Sequence, residues 1–371
     1  MRKNLCESVQ NPPPEGLLLE NPPSPQEKAI APARHGQDLG AWRAAALQLE
    51  AEINSVVLGQ QGAVRLLIIA IFARGHVLLE GDVGVGKTTL LRSVARVIGG
   101  GYERIEGTID LVPSDLVYYT YVDEHGKPKV APGPLLKHGE ALSTFFFNEV
   151  NRARPQMHSL LLRVMAERSV TAFNREYHFP HLQAFADRNR VEKEETFEIP
   201  AAARDRFLME IEVPVPSDPE LQRALMVETR FHNVDRLLER LPEGIVAFDQ
   251  LNDVADIVQD HVRTTSALQT YALNLCRATA APGASGVRMS DIDVDRFVQS
   301  GVSPRGMSML LRAARVAAWL DGRDFVAPED IHQVFHATIG HRVFLKPVYE
   351  LRRAELIGEF LGEVLKRVAA P

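Results

Sequence analysis

From residue 39 onward the apolar positions of the chain follow two different periods. "AWRAAALQLEAEINSVV" spaces them three and four apart among strong helix formers, which predicts an amphipathic helix. "AVRLLIIAIFARG" predicts a second, more buried helix ending at Gly75. "HVLLEG" is a short apolar run closed by a glycine and reads as a buried strand. It leads into "GDVGVGKTTLLRSVARVIGGG", a glycine loop followed by an amphipathic helix that stops on glycines. "STFFFNEV" and "HLQAFADRN" predict two more buried strands, and the alternation in "RFLMEIEVPVP" predicts a fourth. Between them, "RPQMHSLLLRVMAERSV" reads as a helix and "VTAFNREYHFP" as a hairpin turning near Asn174. Strands alternating with helices predict an α/β layer with a largely parallel sheet.

After "VPVPSDPE" the strand period disappears, and from Pro219 to the end six segments carry helical spacing. Two of these, beginning at "SPRG" and "APED", have proline in the first turn, where its missing N–H costs little. The expected organisation is an α/β core over residues 39–216 and an all-helical domain over 217–371. Residues 1–38 are rich in proline and polar residues and carry too little apolar surface to offset the entropy of ordering. A disordered tail is expected there.

Composition narrows the function classes. The chain has 371 residues, room for two or three domains, with 45% hydrophobic and 24% charged residues, as in ordinary globular proteins. A net charge of -6 argues against a general nucleic-acid binder, and no basic groove interleaved with aromatics marks a DNA motor. Two cysteines, Cys6 and Cys276, supply neither a disulfide framework nor a cysteine-rich metal site. The N-terminus lacks the apolar stretch of a signal peptide, and "LLIIAIFA" is too short to span a bilayer. A cytoplasmic protein without a membrane span is expected. His138, His158 and His332 read as structural or solvated.

The candidate chemistry begins at Gly81. "GDVGVGKT", Gly81 to Thr88, fits G-x-x-x-x-G-K-[ST] between a predicted strand and a predicted helix. In such a loop the backbone around Gly81, Val83, Gly84, Val85, Gly86 and Thr89 cradles phosphates, aided by the positive end of the helix. Lys87 is expected to reach the β and γ phosphates of ATP, and Thr88 to ligate Mg²⁺. About 60 residues further on, "TFFFNEV" ends a buried strand in polar residues. Glu149 there suits the general base that activates water. The preceding position ordinarily holds an aspartate on the metal side; Asn148 can accept a hydrogen bond but brings no charge. A softened metal site follows, and with it an alternative function: a nucleotide-dependent scaffold or switch that hydrolyses very slowly.

The stretches "VVLGQ", "HVLLEGDVGVGKT", "DLVPSDL", "PGPLL", "NEVNRARPQMHSLLLRVMAERSVT", "IPAAARDRF" and "SPRGMSMLLRAARVAAWLDGRDFVAPEDI" occur in order. Together they resemble the MoxR-type AAA+ ATPases over roughly residues 55 to 345. The resemblance implies a P-loop NTPase core with a parallel sheet followed by a helical lid domain. It places Val57, Leu58 and Gly59 beside the adenine and Asn189 near the γ phosphate. The family pattern ATQNP appears here as "ADRNR", a departure around Asn189. Arg206 in "RDRF" becomes an arginine finger for a neighbouring subunit, and Arg305 in "SPRG" a contact to phosphate of its own or an adjacent site. Arg152 is placed at an interface. Also implied are a homo-hexamer, protein clients that need metal or cofactor insertion, and a von Willebrand A domain partner. The hairpin at Phe173-Asn174 would carry motion to a client.

Overall fold

The computed structural model describes residues 38–189, 197–290 and 292–371, all within one compact unit. Residues 1–37 of the expected tail over 1–38, and the Arg190 that follows Asn189, lie outside the described residues. Asp38, at the edge of that tail, caps the first helix, Leu39–Val56, by accepting from the Gly40 N–H. The chain is built as expected, a P-loop α/β core with a parallel sheet followed by a helical region.

Among the described residues, nine strands precede residue 213. They are β1 (Val77–Gly81), β2 (Gly101–Glu106), β3 (Tyr118–Val122), β4 (Pro128–Pro132), β5 (Leu142–Asn148), β6 (Ser169–Ala172), β7 (Arg175–His178), β8 (Gln183–Asn189) and β9 (Met209–Glu212). Five form one sheet in the order β2-β5-β8-β1-β9, and every neighbouring pair in it is parallel. β3–β4 and β6–β7 are separate antiparallel hairpins, the latter turning at Phe173 and Asn174, both left-handed.

A parallel sheet is covered on both faces, so its central strands read as unbroken apolar runs. All seven residues of β5 are buried. Its phenylalanines divide by the strand's period of two. Phe146 joins a core formed with helices Leu39–Val56, Gln61–Phe72 and Lys87–Ile98 and with the C-terminal helices. Phe145 and Phe147 face the other way, onto the helix Pro155–Glu167. The first core continues without a break past residue 217, for example where Phe72 meets Trp319 with ring centroids 5.1 Å apart.

Beyond residue 217 the main helices are Pro219–Val227, Leu251–His261, Ser266–Ala280, Pro304–Leu320, Pro328–Ile339 and Arg353–Arg367. The region expected to be all helix also holds a small antiparallel ladder, β10 (Val298–Ser300) with β11 (Phe344–Leu345), too short to leave a periodic signal. No helix among the described residues is long and apolar enough to cross a membrane.

Candidate active site

The glycine loop leaves β1 at the carboxyl end of the sheet and enters the helix Lys87–Ile98. Gly84 and Gly86 have φ of 81° and 93°, and a methyl group built on either would meet nothing within 4 Å. The backbone therefore bends around open space at the start of a helix, as phosphate binding requires. Lys87 is buried, and its ammonium donates to the Gly81 carbonyl at 2.8 Å, the Asp82 carbonyl at 3.0 Å and Asn189 Oδ1 at 2.6 Å. Val83 projects into solvent, while Val85 packs on the core. The Thr88 hydroxyl opens toward Asn148 Oδ1, 3.5 Å away. Thr89 lies one residue further into the helix, its carbonyl taken by Ser93 Oγ at 2.8 Å. The donor set matches Mg²⁺, a cation that takes few protein oxygens and the rest from phosphate and water. Here the Thr88 hydroxyl and the Asn148 carbonyl oxygen are on offer.

Three parallel strands bring the remaining groups to this loop. Glu149 follows β5 in a left-handed conformation, φ 52° and ψ 49°. Its amide N–H donates to Asp187 Oδ1 at 2.6 Å, and its carboxylate accepts from Asn189 Nδ2 at 3.0 Å. Asn189 thus links the Lys87 ammonium to the Glu149 carboxylate, so the expected base faces the glycine loop. Arg152, expected at an interface, is partly exposed and pairs with Glu149 Oε2 at 3.1 Å. The Glu149 backbone fits only because residue 107 is glycine: a Cβ there would lie 2.2 Å from the Glu149 carbonyl oxygen.

Asp187 is the member of this cluster that sequence reasoning passed over. It sits in β8 beside Asn189 and is 2% exposed, with Oδ2 3.9 Å from the Lys87 ammonium. Burial pushes its carboxyl from the ordinary 3.8 up to about 6, against the opposing pull of the Glu149 N–H and Lys87. The signal in the sequence was the acid within a run read as a buried strand, and the departure "ADRNR". Glu106, at the end of β2, was also passed over; one of its carboxylate oxygens accepts from Asn148 Nδ2.

Val57, Leu58 and Gly59 lie between the first two helices. Gly59 has φ 74°, and a Cβ there would come within 2.8 Å of Pro216 and 3.3 Å of Leu221. Gln60 donates to the Pro214 carbonyl at 2.5 Å. The segment is therefore pinned where the sheet passes into the helical region.

Arg206 and Arg305 are not at the phosphate loop. Leu208 N–H donates to the His76 carbonyl and Met209 pairs with Val77, so residues 205–206 sit at the amino end of the sheet. Four residues of strand separate that end of β1 from Gly81, roughly 13 Å at the usual rise. Arg206 is partly exposed and donates to the Ala202 carbonyl at 2.8 Å. Arg305, expected to touch phosphate, here binds Asp205 Oδ2 at 2.9 Å. Asp205 also accepts from Ser303 Oγ at 2.8 Å and from the fully buried Arg342 at 3.2 Å. The two arginines share one edge of the molecule, away from their own glycine loop.

The three histidines expected to be structural or solvated each meet a protein partner, and His332 stands one helical turn from His336 on the helix Pro328–Ile339. His158 Nε2 meets the Val150 carbonyl at 2.8 Å, His138 meets Glu103 at 2.8 Å, and His332 meets Tyr271 Oη at 2.6 Å. No group of three metal-ligating side chains occurs among the described residues.

Residues 76–209 match the model of the ATPase family associated with various cellular activities (AAA), and residues 291–359 match the AAA lid domain. The chain is 58% identical to Protein MoxR of Methylorubrum extorquens over 330 residues, 89% of this chain and 96% of that protein. It is 32% identical to Chaperone MoxR1 of Mycobacterium tuberculosis over 86% of this chain and 81% of that protein. The fold resembles the crystal structure of a candidate ATPase from Cytophaga hutchinsonii, with a TM-score of 0.75 and 28% identity, covering 90% of this chain and 97% of that one.

Proposed function

The chain belongs to the MoxR family of AAA+ ATPases, and from that premise we propose that it is an ATP-hydrolysing chaperone that works as a homo-hexameric ring in the cytoplasm. In this reading residues 39–216 are the motor and residues 217–371 the lid. ATP lies with its adenine beside Val57, Leu58 and Gly59 and its phosphates on the Gly81–Thr89 loop. Mg²⁺, when bound, neutralises charge on the phosphates, and Thr88 and Asn148 are the side chains that would hold it.

The reading is carried by one observation. Lys87, Thr88, Asn148, Glu149 and Asn189 meet at the carboxyl ends of the strands, while Arg206 and Arg305 share the opposite edge. In this mechanism Glu149 accepts the proton of the attacking water, and Asn189 holds the Glu149 carboxylate and Lys87 in register. Water adds to the γ phosphorus as the bond to the β-phosphate oxygen breaks, giving ADP and phosphate. The arginine edge completes the site of the next subunit, where a guanidinium's fixed charge and planar fork suit a transferring phosphoryl group. The Phe173-Asn174 hairpin passes lid motion to a client. Clients that need metal or cofactor insertion, and a partner with a von Willebrand A domain, follow from the family resemblance.

Mixing subunits tests this arrangement. Lys87→Ala and Arg206→Ala proteins are each expected to be inactive, and a mixture to regain part of the wild-type turnover, because some interfaces then pair an intact loop with an intact arginine. Failure of the mixture to regain turnover removes the shared-site mechanism. Asn148 favours a second reading, a slow nucleotide switch. That reading gains if wild-type rings hold ATP yet show no turnover above the Lys87→Ala background.

A further inference from the structure

We propose that Glu106 is a positioning residue for the metal side of this site: it fixes the Asn148 amide with its carbonyl oxygen toward Thr88, and it supplies from the neighbouring strand the negative charge that position 148 lacks. The proposal rests on the nucleotide-hydrolysing reading above.

Glu106 and Asn148 are cross-strand partners at the carboxyl ends of β2 and β5. A side-chain amide is ambivalent, since one end donates and the other accepts. Facing a cation or the phosphate shell, only the oxygen end of Asn148 is useful. The Asn148 NH₂ group donates to Glu106 Oε1, which leaves Oδ1 as the atom that faces the Thr88 hydroxyl at 3.5 Å. Rotating the amide by half a turn would set its oxygen against the Glu106 carboxylate, acceptor against acceptor. An ionised carboxylate at 106 therefore selects one orientation of Asn148, which a neutral partner able to donate would not.

The end of β2 is itself held in place. Gly107 donates its N–H to the Asn148 carbonyl at 2.7 Å and packs beneath Glu149. The second Glu106 oxygen pairs with Arg104 at 2.8 Å, but both side chains are substantially exposed, so that pair is weak and leaves the charge largely available. Glu106 also belongs to the same electrostatic neighbourhood as the buried acid beneath the loop, because its charge is one of those that disfavour ionisation of Asp187. The anion absent from residue 148 thus stands one strand over, joined to it by a hydrogen bond.

The test uses the full-length protein with ADP and Mn²⁺, following bound metal by the loss of the free-ion electron paramagnetic resonance signal. Glu106→Gln keeps the size and removes the charge; Glu106→Ala removes the hydrogen bond as well. Groups that hold a metal's ligands in place typically govern 10- to 100-fold in affinity, and a half-exposed one belongs at the lower end. Glu106→Gln should therefore weaken Mn²⁺ about ten-fold, and Glu106→Ala at least as much. ADP affinity without metal should be unchanged in both. Adding Asn148→Asp to Glu106→Gln returns the charge to the strand and should restore Mn²⁺ affinity to within about two-fold of wild type.

An unchanged Mn²⁺ midpoint in Glu106→Gln overturns the proposal, as does an equal loss of metal-free ADP binding, which would mark a merely structural role. A wild-type protein that holds no Mn²⁺ on ADP would instead remove the reading of the site itself, and this inference with it.

Discussion

Replacing Asp187 by asparagine should make the nucleotide-free protein more stable at neutral pH while slowing hydrolysis. The buried carboxyl titrates at about 6 in the fold against an ordinary 3.8. Because the folded value is the higher one, the fold binds the proton more tightly than the unfolded chain does. The stability Asp187 contributes is complete below pH 3.8 and is lost as pH rises through 6. At 1.36 kcal/mol per pH unit, holding the ionised group in place at pH 7.5 costs about 3 kcal/mol. Asparagine keeps the shape and the acceptor for the Glu149 N–H, so most of that cost should be recovered. The gain should fall to roughly half by pH 5, where wild-type Asp187 is largely protonated in the fold. The wild-type profile also contains His76, buried and held down to about 3 by burial, which destabilises the fold below pH 6.5. Only the difference between variant and wild type isolates residue 187. Urea denaturation of both proteins at pH 7.5 and pH 5 is the assay. A less stable variant at pH 7.5, or a gain that does not shrink on acidification, refutes the reasoning. Retention of such an unfavourable charge beside Lys87 and Glu149 is the pattern of a site that trades stability for chemistry.

Glu149→Gln should still accept the hydrogen bond from Asn189, and so bind ATP and hold it; prompt phosphate release in a single-turnover assay would remove Glu149 as the base. Gly107→Ala sets a methyl carbon 2.2 Å from the Glu149 carbonyl oxygen, which is backbone and cannot yield cheaply. Loss of about 1–3 kcal/mol in denaturation, together with loss of turnover, is expected, and a variant with wild-type kinetics would show that the Glu149 backbone tolerates movement.

The sequence carried the central strands well. β1, β5 and β8 are buried on both faces, and a doubly covered strand announces itself as an apolar run. The glycine loop was legible for a related reason, since its chemistry is local to eight residues. β2 was not read as a strand, because "GYERIE" lies at the edge of the sheet and keeps Arg104 and Glu106 in solvent. The β3–β4 hairpin was missed too, with Tyr119, Tyr121 and Val122 exposed and no buried face to impose a period. Glu106 and Asp187 became part of the site only through register, which sets them against Asn148 and the loop from neighbouring strands. One-dimensional spacing holds no trace of that pairing. Arg206 and Arg305 were singled out, but the Arg305–Asp205 ion pair that sets Arg305 beside the Arg206 segment joins residues 100 apart in sequence.

In the proposed ring, the Arg305–Asp205 pair bears on how subunits would communicate. Arg305 already has an anion, and so does the deeper Arg342, which reaches past the same carboxylate to the carbonyls of Asp205, Phe207 and Leu208. A neighbour's triphosphate would therefore compete for an occupied guanidinium, and its arrival would be an exchange of counter-ions. The outer latch could open while the inner tether stayed fastened, so news of an occupied site next door would reach the sheet edge through a single side chain that never leaves its own subunit.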